Sequence, residues 1–248
     1  MEDRKLTVRA VERALDILIC FTRSSNLGLT EIASEIGLHK STVHRLLTTL
    51  EDRGFVVRDP QTDKYRLGLK IWELSAHLAN NDDPAILLLP LMERQRDRLG
   101  ETVSLYLLDG YERLRIQAVQ SNQAVRRVAP VGVRLPLYVG ASSKVLVAYS
   151  GEEVLQAVLN SPDWPVSIDR DSYVAQLEDI RKQGYATSYE EREQGASSVA
   201  APVFDRKGKL AAALSVSGPV SRLTRERLAE YGPILIEAAR EMGVMMPS

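Results

Sequence analysis

The order of helical and extended segments near the N-terminus constrains the fold more than any other feature of the chain. Apolar residues recur at helical spacing over residues 8–21, which predicts an amphipathic helix. Its apolar stripe consists of Val8, Val11, Leu15, Leu18 and Ile19. A second helix is predicted to begin at Thr30, whose hydroxyl suits an N-cap, and to end at Gly37. After a short turn, a third helix is predicted over about residues 40–53.

Two short strands follow the third helix. Gly54 ends that helix, and residues 55–58 and 64–67 have the composition of extended segments. Residues 59–63 (DPQTD) join them as a turn-rich loop of hairpin length. The order helix, helix, short turn, helix, hairpin is typical of a winged helix-turn-helix, which we therefore predict for residues 1–68.

The third predicted helix has one apolar face and one hydrogen-bonding face. At 100° per residue, the apolar side chains fall within about 50° of one direction; they are Val43, Leu46, Leu47 and Leu50. The opposite face carries Ser41, Arg45 and Thr48, flanked by His44. In an isolated helix this pattern indicates only a solvated surface. The preceding helix and the following hairpin favour a helix that reads DNA, in which Arg45 makes a bidentate contact to guanine.

Further residues of this region are suited to DNA phosphates. Ser41 and Thr42 lie in the first turn of the third helix, where free backbone N–H groups and hydroxyls bind phosphate. Arg58 and Lys64 on the hairpin are placed for flanking phosphates or the minor groove. The predicted DNA-binding residues are Lys40, Ser41, Thr42, His44, Arg45, Thr48, Arg58 and Lys64.

The rest of the chain predicts a connector and a second domain. Residues 69–80 form an amphipathic helix that residues 80–84 (NNDDP) break, so we assign residues 69–84 to a connector helix and linker, and residues 85–248 to a second domain. Helices are predicted at 85–99, 141–160, 171–183 and 224–242, and strands at 102–108, 113–120, 124–138, 185–190, 197–204 and 209–217. Strands joined by hairpins predict an α+β fold, an antiparallel sheet covered by helices, and not a doubly wound parallel sheet.

Specific motifs connect the chain with a known family. The stretch LTEIASEIGLHKSTVHRLLTTLEDRGFVVRDPQTDKYRLGLKIWELS resembles the IclR family of bacterial transcriptional regulators in its helix-turn-helix spacing, its KSTVHRLL helix and its YRLG motif. The C-terminal half resembles the family in GETVSLYLLDG, RLPLY, GYATSYEEREQGASSVAAPVFD and AALSVSGPVSRLT. The resemblance implies a homodimer or homotetramer on a palindromic operator in double-stranded DNA, with a GAF-like ligand-binding domain. We expect a repressor of catabolic or metabolic genes more than an activator.

Two segments of the C-terminal half indicate a small-molecule site. In residues 209–217 apolar side chains alternate with small and hydroxyl-bearing ones, of which Ser215 and Ser217 share a face. That face leaves room for a ligand, although small residues on a strand more often accommodate a packed helix. Residues 140–143 (GASS) begin a helix directly after a strand, and free N–H groups at such a terminus favour an anion. We therefore expect a small organic acid as effector.

The family resemblance implies which residues surround the effector. The positions that match its effector pocket are Tyr138, Ala141, Ser142, Ser188, Ser198, Ser215 and Ser217. The chain departs from the family pattern at Ser143, where glycine is frequent, at Ser188, where an acidic residue is frequent, and at Ser198, where Cys or Ala is frequent. A neutral serine at position 188 suits a more anionic ligand, or simply a different one.

The sequence argues against an enzyme. The C-terminal half contains neither histidine nor cysteine, which excludes a histidine-dependent triad or a Cys/His metal cluster there. We predict no catalytic residue, metal or cofactor. The acidic cluster of Glu190, Glu191 and Glu193 is best explained as a solvated strand end.

Composition sets the remaining expectations. A net charge of −1 argues against an indiscriminate nucleic-acid binder. The single Cys20 suits a reducing compartment, and the N-terminus lacks the apolar core of a secretory signal, so we expect a cytoplasmic protein without membrane contacts. The alternative function is a ligand-sensing or assembly protein whose winged helix contacts proteins, with Trp72 and Leu78 of the connector helix at the interface.

Overall fold

A computed structural model describes residues 7–78, 83–128 and 130–246. The chain divides near residue 80 into two compact units. Most of the predicted helix break at residues 80–84 lies outside the described residues, as does the side chain of Leu78. Among the described residues, no helix combines the length and apolar character required to span a bilayer.

The N-terminal unit is the predicted winged helix-turn-helix. Its elements are α1 (Arg9–Cys20), β1 (Leu27–Gly28), α2 (Leu29–Glu35), α3 (Lys40–Asp52), β2 (Val56–Arg58), β3 (Lys64–Leu67) and α4 (Leu69–Leu78). β3 lies between β1 and β2 in a small antiparallel sheet. The helices and this wing enclose one apolar core, which includes Ile17, Ile32, Val43, Leu47 and Val56.

The start of α2 differs from the prediction. Thr30 lies within the first turn of the helix, and the N-cap is Gly28. The Glu31 carboxylate accepts a hydrogen bond from the Gly28 N–H at 2.6 Å. The Glu31 side chain therefore satisfies the backbone N–H of the N-cap residue Gly28, and Thr30 does not cap the helix as predicted.

Helix α1 has apolar residues on two faces. Ile17 and Cys20 are buried in the core of the N-terminal unit, with Ala14 and Leu18 packed against them. Most of the stripe predicted from helical periodicity lies elsewhere, because Val8, Val11, Leu15 and Ile19 are each more than half exposed. Helix α4 adds exposed Leu69 and Leu74, and a Trp72 that is 74% exposed. We call these seven exposed residues the apolar surface of the N-terminal unit.

The C-terminal unit is a six-stranded antiparallel sheet with helices on both faces. Its elements are α5 (Pro84–Leu87), α6 (Leu89–Leu99), β4 (Thr102–Asp109), β5 (Glu112–Val119), β6 (Arg134–Pro136), α7 (Ala141–Ala148), α8 (Glu152–Leu159), α9 (Arg170–Gln183), β7 (Ala186–Tyr189), β8 (Ala196–Phe204), β9 (Leu210–Pro219) and α10 (Arg225–Met245). The strand order is β6-β5-β4-β9-β8-β7, and every neighbouring pair is antiparallel. Helices α6 and α10 cover one face of the sheet in one core cluster, and α7 and α9 cover the other face in a second cluster. This is the predicted α+β architecture.

Three local predictions for this unit were wrong. Within residues 124–138 only β6 is a strand, and the predicted helix at 141–160 is divided into α7 and α8 at Gly151. On β9 the expected alternation holds from Ala212 onward, but Leu210 packs into the α7–α9 cluster and Ala211 against the α6–α10 cluster. The cause is an irregularity in pairing, since Ala212 lies opposite Val203 and Leu210 opposite Phe204, which leaves one residue extra on β9.

Candidate functional site

Helix α3 presents the polar face that its sequence predicts. Val43, Leu47 and Leu50 are buried in the core. The predicted DNA-contacting side chains Lys40, Ser41, His44, Arg45 and Thr48 are exposed, and Thr42 is half-buried. The His39 ring caps the helix, since its Nδ1 lies 2.8 Å from Ser41 Oγ and accepts a hydrogen bond from the Ser41 N–H at 3.4 Å. The Thr48 hydroxyl donates to the His44 carbonyl at 3.0 Å.

The two predicted cations of the wing lie beside acidic groups. The Arg58 guanidinium is 3.0 Å from the Asp63 carboxylate, and Lys64 Nζ is 3.7 Å from Glu31. Both pairs are exposed, and exposed pairs contribute only about 0–1 kcal/mol, so a DNA phosphate can replace either acid at little cost. Asp59 fixes the loop between the strands, because its carboxylate accepts hydrogen bonds from the Gln61 N–H and the Thr62 hydroxyl.

A cavity in the C-terminal unit brings together five of the seven predicted effector residues. Ser188 lies opposite Ser198 on the sheet, and Ser198 lies opposite Ser217. Ser215 is two residues from Ser217 on the same face of β9, and Ser142 is in the first turn of α7. All five line one cavity with a free volume of about 40 Å³. We call it the serine cavity.

The structure places the other two predicted residues elsewhere. Ala141 is fully buried in the α7–α9 core cluster and does not line the serine cavity. Tyr138 lines a neighbouring cavity of about 740 Å³, together with Lys144, Tyr173 and Glu191. The two cavities share the Arg192 side chain.

Four arginines that the sequence did not single out also line the serine cavity. Arg113 and Arg115 come from β5, Arg127 from the segment between β5 and β6, and Arg192 from the loop after β7. The one acidic residue in the lining is Glu193, whose carboxylate is 2.6 Å from Arg127. Among the described residues, no carboxylate lies within 4.0 Å of the Arg113, Arg115 or Arg192 guanidinium group.

The two arginines of β5 are buried and held in place by Tyr106. Arg113 is 3% exposed and Arg115 is 4% exposed. Their guanidinium carbons lie 5.2 and 5.1 Å from the centroid of the Tyr106 ring. Arg115 donates to the Tyr106 hydroxyl from Nε at 3.0 Å and from Nη2 at 2.7 Å, and to the Pro130 carbonyl at 3.0 Å. Arg113 donates to the Ser142 hydroxyl at 2.5 Å.

Arg113 is the least compensated charge of the cavity. Burial lowers the pKa of Arg113 to about 10, and the neighbouring charges of Arg192 and Arg115 act in the same direction. Its buried Nε has no hydrogen-bond partner among the described residues. Gly140, at φ +97°, makes room for this side chain, because a Cβ there would lie 3.2 Å from Arg113 Nη2. The cavity therefore contains a desolvated positive charge with unused donors.

The loop after β7 is bound to the rest of the unit by its acidic residues. Lys144 is buried, and its ammonium group is 2.6 Å from the Glu191 carboxylate, which also accepts from the Gly140 N–H at 3.2 Å. The Glu190 carboxylate accepts from the Gly195 N–H at 2.7 Å. Glu190, Glu191 and Glu193 are all exposed just after the end of β7, as expected for a solvated strand end, and each also has a partner. The anion near the start of α7 is the chain's own Glu191 carboxylate.

Sequence reasoning missed the arginines although one signal was present. Arg113 and Arg115 are two residues apart on a strand, so they share a face. Charged residues on alternating positions usually mark a solvated face, and the sequence does not show that α7 covers this one. Arg127 and Arg192 lie outside helices and strands, where no periodicity constrains their direction.

Comparisons with known proteins agree with this architecture. Residues 10–60 match the family described as "IclR helix-turn-helix domain", and residues 78–244 match the family described as "Bacterial transcriptional regulator IclR C-terminal". The HTH-type transcriptional regulator KdgR of Escherichia coli (strain K12) is 34% identical over 97% of this chain and 93% of its own. The Transcriptional repressor IclR of the same strain is 31% identical over 95% of this chain and 89% of its own.

The fold is also that of a solved relative. The crystal structure of an IclR homolog complexed with 4-hydroxybenzoate from Microbacterium hydrocarbonoxydans has a TM-score of 0.84 and 26% identity, covering 96% of this chain and 98% of that one. Both domain descriptions, both curated relatives and this structure point to regulators of transcription that carry a helix-turn-helix. The chain therefore belongs to the IclR family of DNA-binding transcriptional regulators.

Proposed function

We propose that the protein is a sequence-specific, ligand-responsive repressor of catabolic or metabolic genes. The observation that carries the DNA-binding half of this proposal is the exposed polar face of α3, opposite a buried apolar face in a winged helix-turn-helix. A relative described as a transcriptional repressor supports repression over activation.

The DNA contacts follow from the exposed groups of α3 and the wing. Arg45 reads a guanine in the major groove, with His44 and Thr48 beside it on the same face. Lys40, Ser41 and Thr42 bind phosphate at the start of the helix. Arg58 and Lys64 exchange their acidic partners for flanking phosphates.

The serine cavity binds a small organic acid as effector. Support comes from the six serines in its lining and its excess of positive charge, which favour a ligand with carboxylate and hydroxyl or keto oxygens. Tyr138 and Ala141 are left out of this site, since neither lines the cavity. Residues 85–248 thus serve as the effector-binding domain, and residues 69–84 connect it to the DNA-binding domain of residues 1–68.

A homodimer, or a tetramer built from two dimers, is the active form. The apolar surface of the N-terminal unit supports this proposal, because contact with a second copy would remove its seven exposed apolar side chains from water. Two copies related by a two-fold axis match a palindromic operator. An assembly protein that contacts other proteins through this surface is the second candidate function.

The deciding experiment is selection of the purified protein against randomised duplex DNA at near-physiological salt. An enriched palindrome is the expected result. Arg45→Ala should lose preference at one position of each half-site, which corresponds to about 1–3 kcal/mol per contact. Arg53→Ala removes an exposed charge at the far end of α3 and serves as the matched control. Selection without enrichment, by wild-type protein that is folded, would contradict the proposal in favour of the assembly function.

A further inference from the structure

We infer that the effector carries at least two negative charges on a compact skeleton, as a hydroxy- or keto-dicarboxylate does. The inference rests on the proposed role of the serine cavity as effector site and specifies the chemical class of its ligand. It depends on three features of the cavity, which are its charge balance, the arrangement of its donors and the small size of its aliphatic lining residues.

The charge balance requires more than one anionic group. Four arginines and a single glutamate line the cavity, and that glutamate is already paired with Arg127. Arg113, Arg115 and Arg192 are left without a carboxylate among the described residues. Arg192 is exposed, but Arg113 and Arg115 are buried, and buried charge is unfavourable unless it is paired, so the occupied cavity needs about one negative charge for each of these two arginines. A single carboxylate would leave one buried guanidinium group uncompensated.

The donors are fixed in advance for carboxylate groups. Arg115 is held by the Tyr106 hydroxyl and the Pro130 carbonyl, and Arg113 by Ser142. A guanidinium group has five N–H donors in a planar fork, which leaves donors on both arginines for a ligand. Arg127 and Arg192 come from two separate loops, so cations reach the cavity from β5 and from loops alike.

The remaining lining is polar or small. Ser188, Ser198 and Ser217 form a row across three strands, which suits hydroxyl or keto oxygens of the ligand. Among the described lining residues, no aliphatic side chain is larger than that of Ala196. An aromatic monoacid would therefore find Tyr106 as its main apolar contact. The ligand of the solved relative, 4-hydroxybenzoate, is an aromatic monoacid, and the serine cavity suits this class of ligand less well.

Matched pairs of acids test the inference on the full-length protein. We would measure Kd by calorimetry at constant ionic strength for succinate against butyrate, and for malate against 3-hydroxybutyrate, with tartrate as a further dianion and inorganic pyrophosphate as a more highly charged probe. Each pair differs by one carboxylate at nearly the same length. The expected result is at least tenfold tighter binding of the diacid in a pair, with malate and tartrate tighter than succinate.

Arginine variants test whether the preference for diacids over monoacids arises in the serine cavity. Arg192→Gln changes a loop residue and leaves the sheet intact, and it should remove most of the preference for diacids over monoacids. Arg113→Gln should do the same, but Arg192→Gln keeps the test valid even if the buried substitution prevents folding. Arg98→Gln removes the same charge from the exposed side of α6 and should retain the full preference.

Two results would overturn the inference, and they differ in what they say about the effector site. Equal affinity for the two members of each pair would reject a dianionic effector while leaving the small-acid sensor in place. Failure of every probe, pyrophosphate included, to bind a protein that still selects its operator would reject both the dianion and the effector role of the cavity.

Discussion

The two units both carry cations that suit anionic ligands, but they hold these cations in opposite ways. In the N-terminal unit Arg45, Arg58 and Lys64 are exposed, and the two on the wing lie beside exposed acids. In the C-terminal unit Arg113 and Arg115 are almost fully buried, without a carboxylate partner. Mobile, hydrated cations suit a long polyanion such as DNA, whereas fixed, desolvated cations suit one small ligand whose shape must be recognised.

The two units also differ in how favourable their cations are when no ligand is bound. An exposed lysine or arginine loses little when no DNA is present, because water and counterions solvate it. A buried arginine without a partner is unfavourable until a ligand arrives, and the lowered pKa of Arg113 is the sign of that cost. Ligand binding to the C-terminal unit should therefore stabilise the fold more per charge than DNA binding does.

The largest expected effect is a difference in salt dependence between the two sites. Raising the salt concentration from about 50 to 200 mM should weaken operator binding by about 10³-fold or more, if six or more phosphates are contacted. Dianion binding should weaken less than tenfold over the same range, because buried charges are screened less. Parallel titrations of both ligands measure the two slopes. Equal slopes would contradict the distinction between exposed and buried cations.

A bulky substitution inside the serine cavity should have the next largest effect. Ser217→Leu replaces a hydroxyl that lines the serine cavity with a large apolar side chain, so we expect effector binding to weaken by about 100-fold or more. Operator binding without effector should stay within twofold. Ser217→Ala is the control, since it removes one hydroxyl without filling space and should cost about 1 kcal/mol. A normal response of the leucine variant would move the effector site elsewhere.

Loss of one aromatic contact should weaken the association of two copies. Trp72→Ala removes the largest side chain of the apolar surface, and truncation of a central aromatic residue typically costs about 2 kcal/mol or more, roughly thirtyfold in Kd. Analytical ultracentrifugation across protein concentrations measures the shift. Val166→Ala changes a fully exposed apolar residue of the C-terminal unit and should leave the association unchanged. An unaltered dimer constant for Trp72→Ala would place the interface outside this surface.

The smallest expected effect concerns two aspartates, one in each unit. Asp59 and Asp169 both accept hydrogen bonds from residues two or three positions further along the chain. Hydrogen bonds from the Thr62 hydroxyl and the Gln61 N–H lower the pKa of Asp59, and the Ser172 N–H lowers that of Asp169. A carboxyl whose pKa is lower in the folded state stabilises the fold above its unfolded pKa of about 4, and this gain disappears as the pH falls through the folded value.

Asp59→Ala and Asp169→Ala should therefore each lower Tm by about 2 °C or less near pH 6. The difference from wild type should shrink below about pH 4, as protonation removes the same interaction from the unsubstituted protein. Thermal unfolding followed at a series of pH values tests both variants. A Tm difference that stays constant down to pH 3 would show that neither aspartate acts through its charge.

The sequence predicted the element order because strong local signals separate the elements. Gly37 and Gly54 have positive φ at the ends of α2 and α3, where glycine is favoured, and their spacing marks the helix-turn-helix. Predictions that depended on tertiary contacts were less accurate. Helical periodicity found the apolar stripe of α1, but it does not distinguish a core face from an interface, and most of this stripe is exposed.

The candidate effector site was predicted in part. Its serines were found because resemblance and alternation both pointed to β9, and five of the seven proposed residues line one cavity. Its arginines were missed because strand alternation alone assigns Arg113 and Arg115 to a solvated face. Only the position of α7 over the sheet, set by contacts far apart in sequence, turns those positions inward.

The pairing of Glu193 with Arg127 has a consequence for the concentration at which the protein responds. The carboxylate is attached to the chain beside the cavity, so it competes with any external acid for Arg127 at an effective concentration of roughly millimolar. A weakly bound or scarce acid does not displace it. In the proposed effector site, this built-in competitor raises the effector concentration needed for half-saturation, and a ligand with several charges overcomes it more readily than a ligand with one.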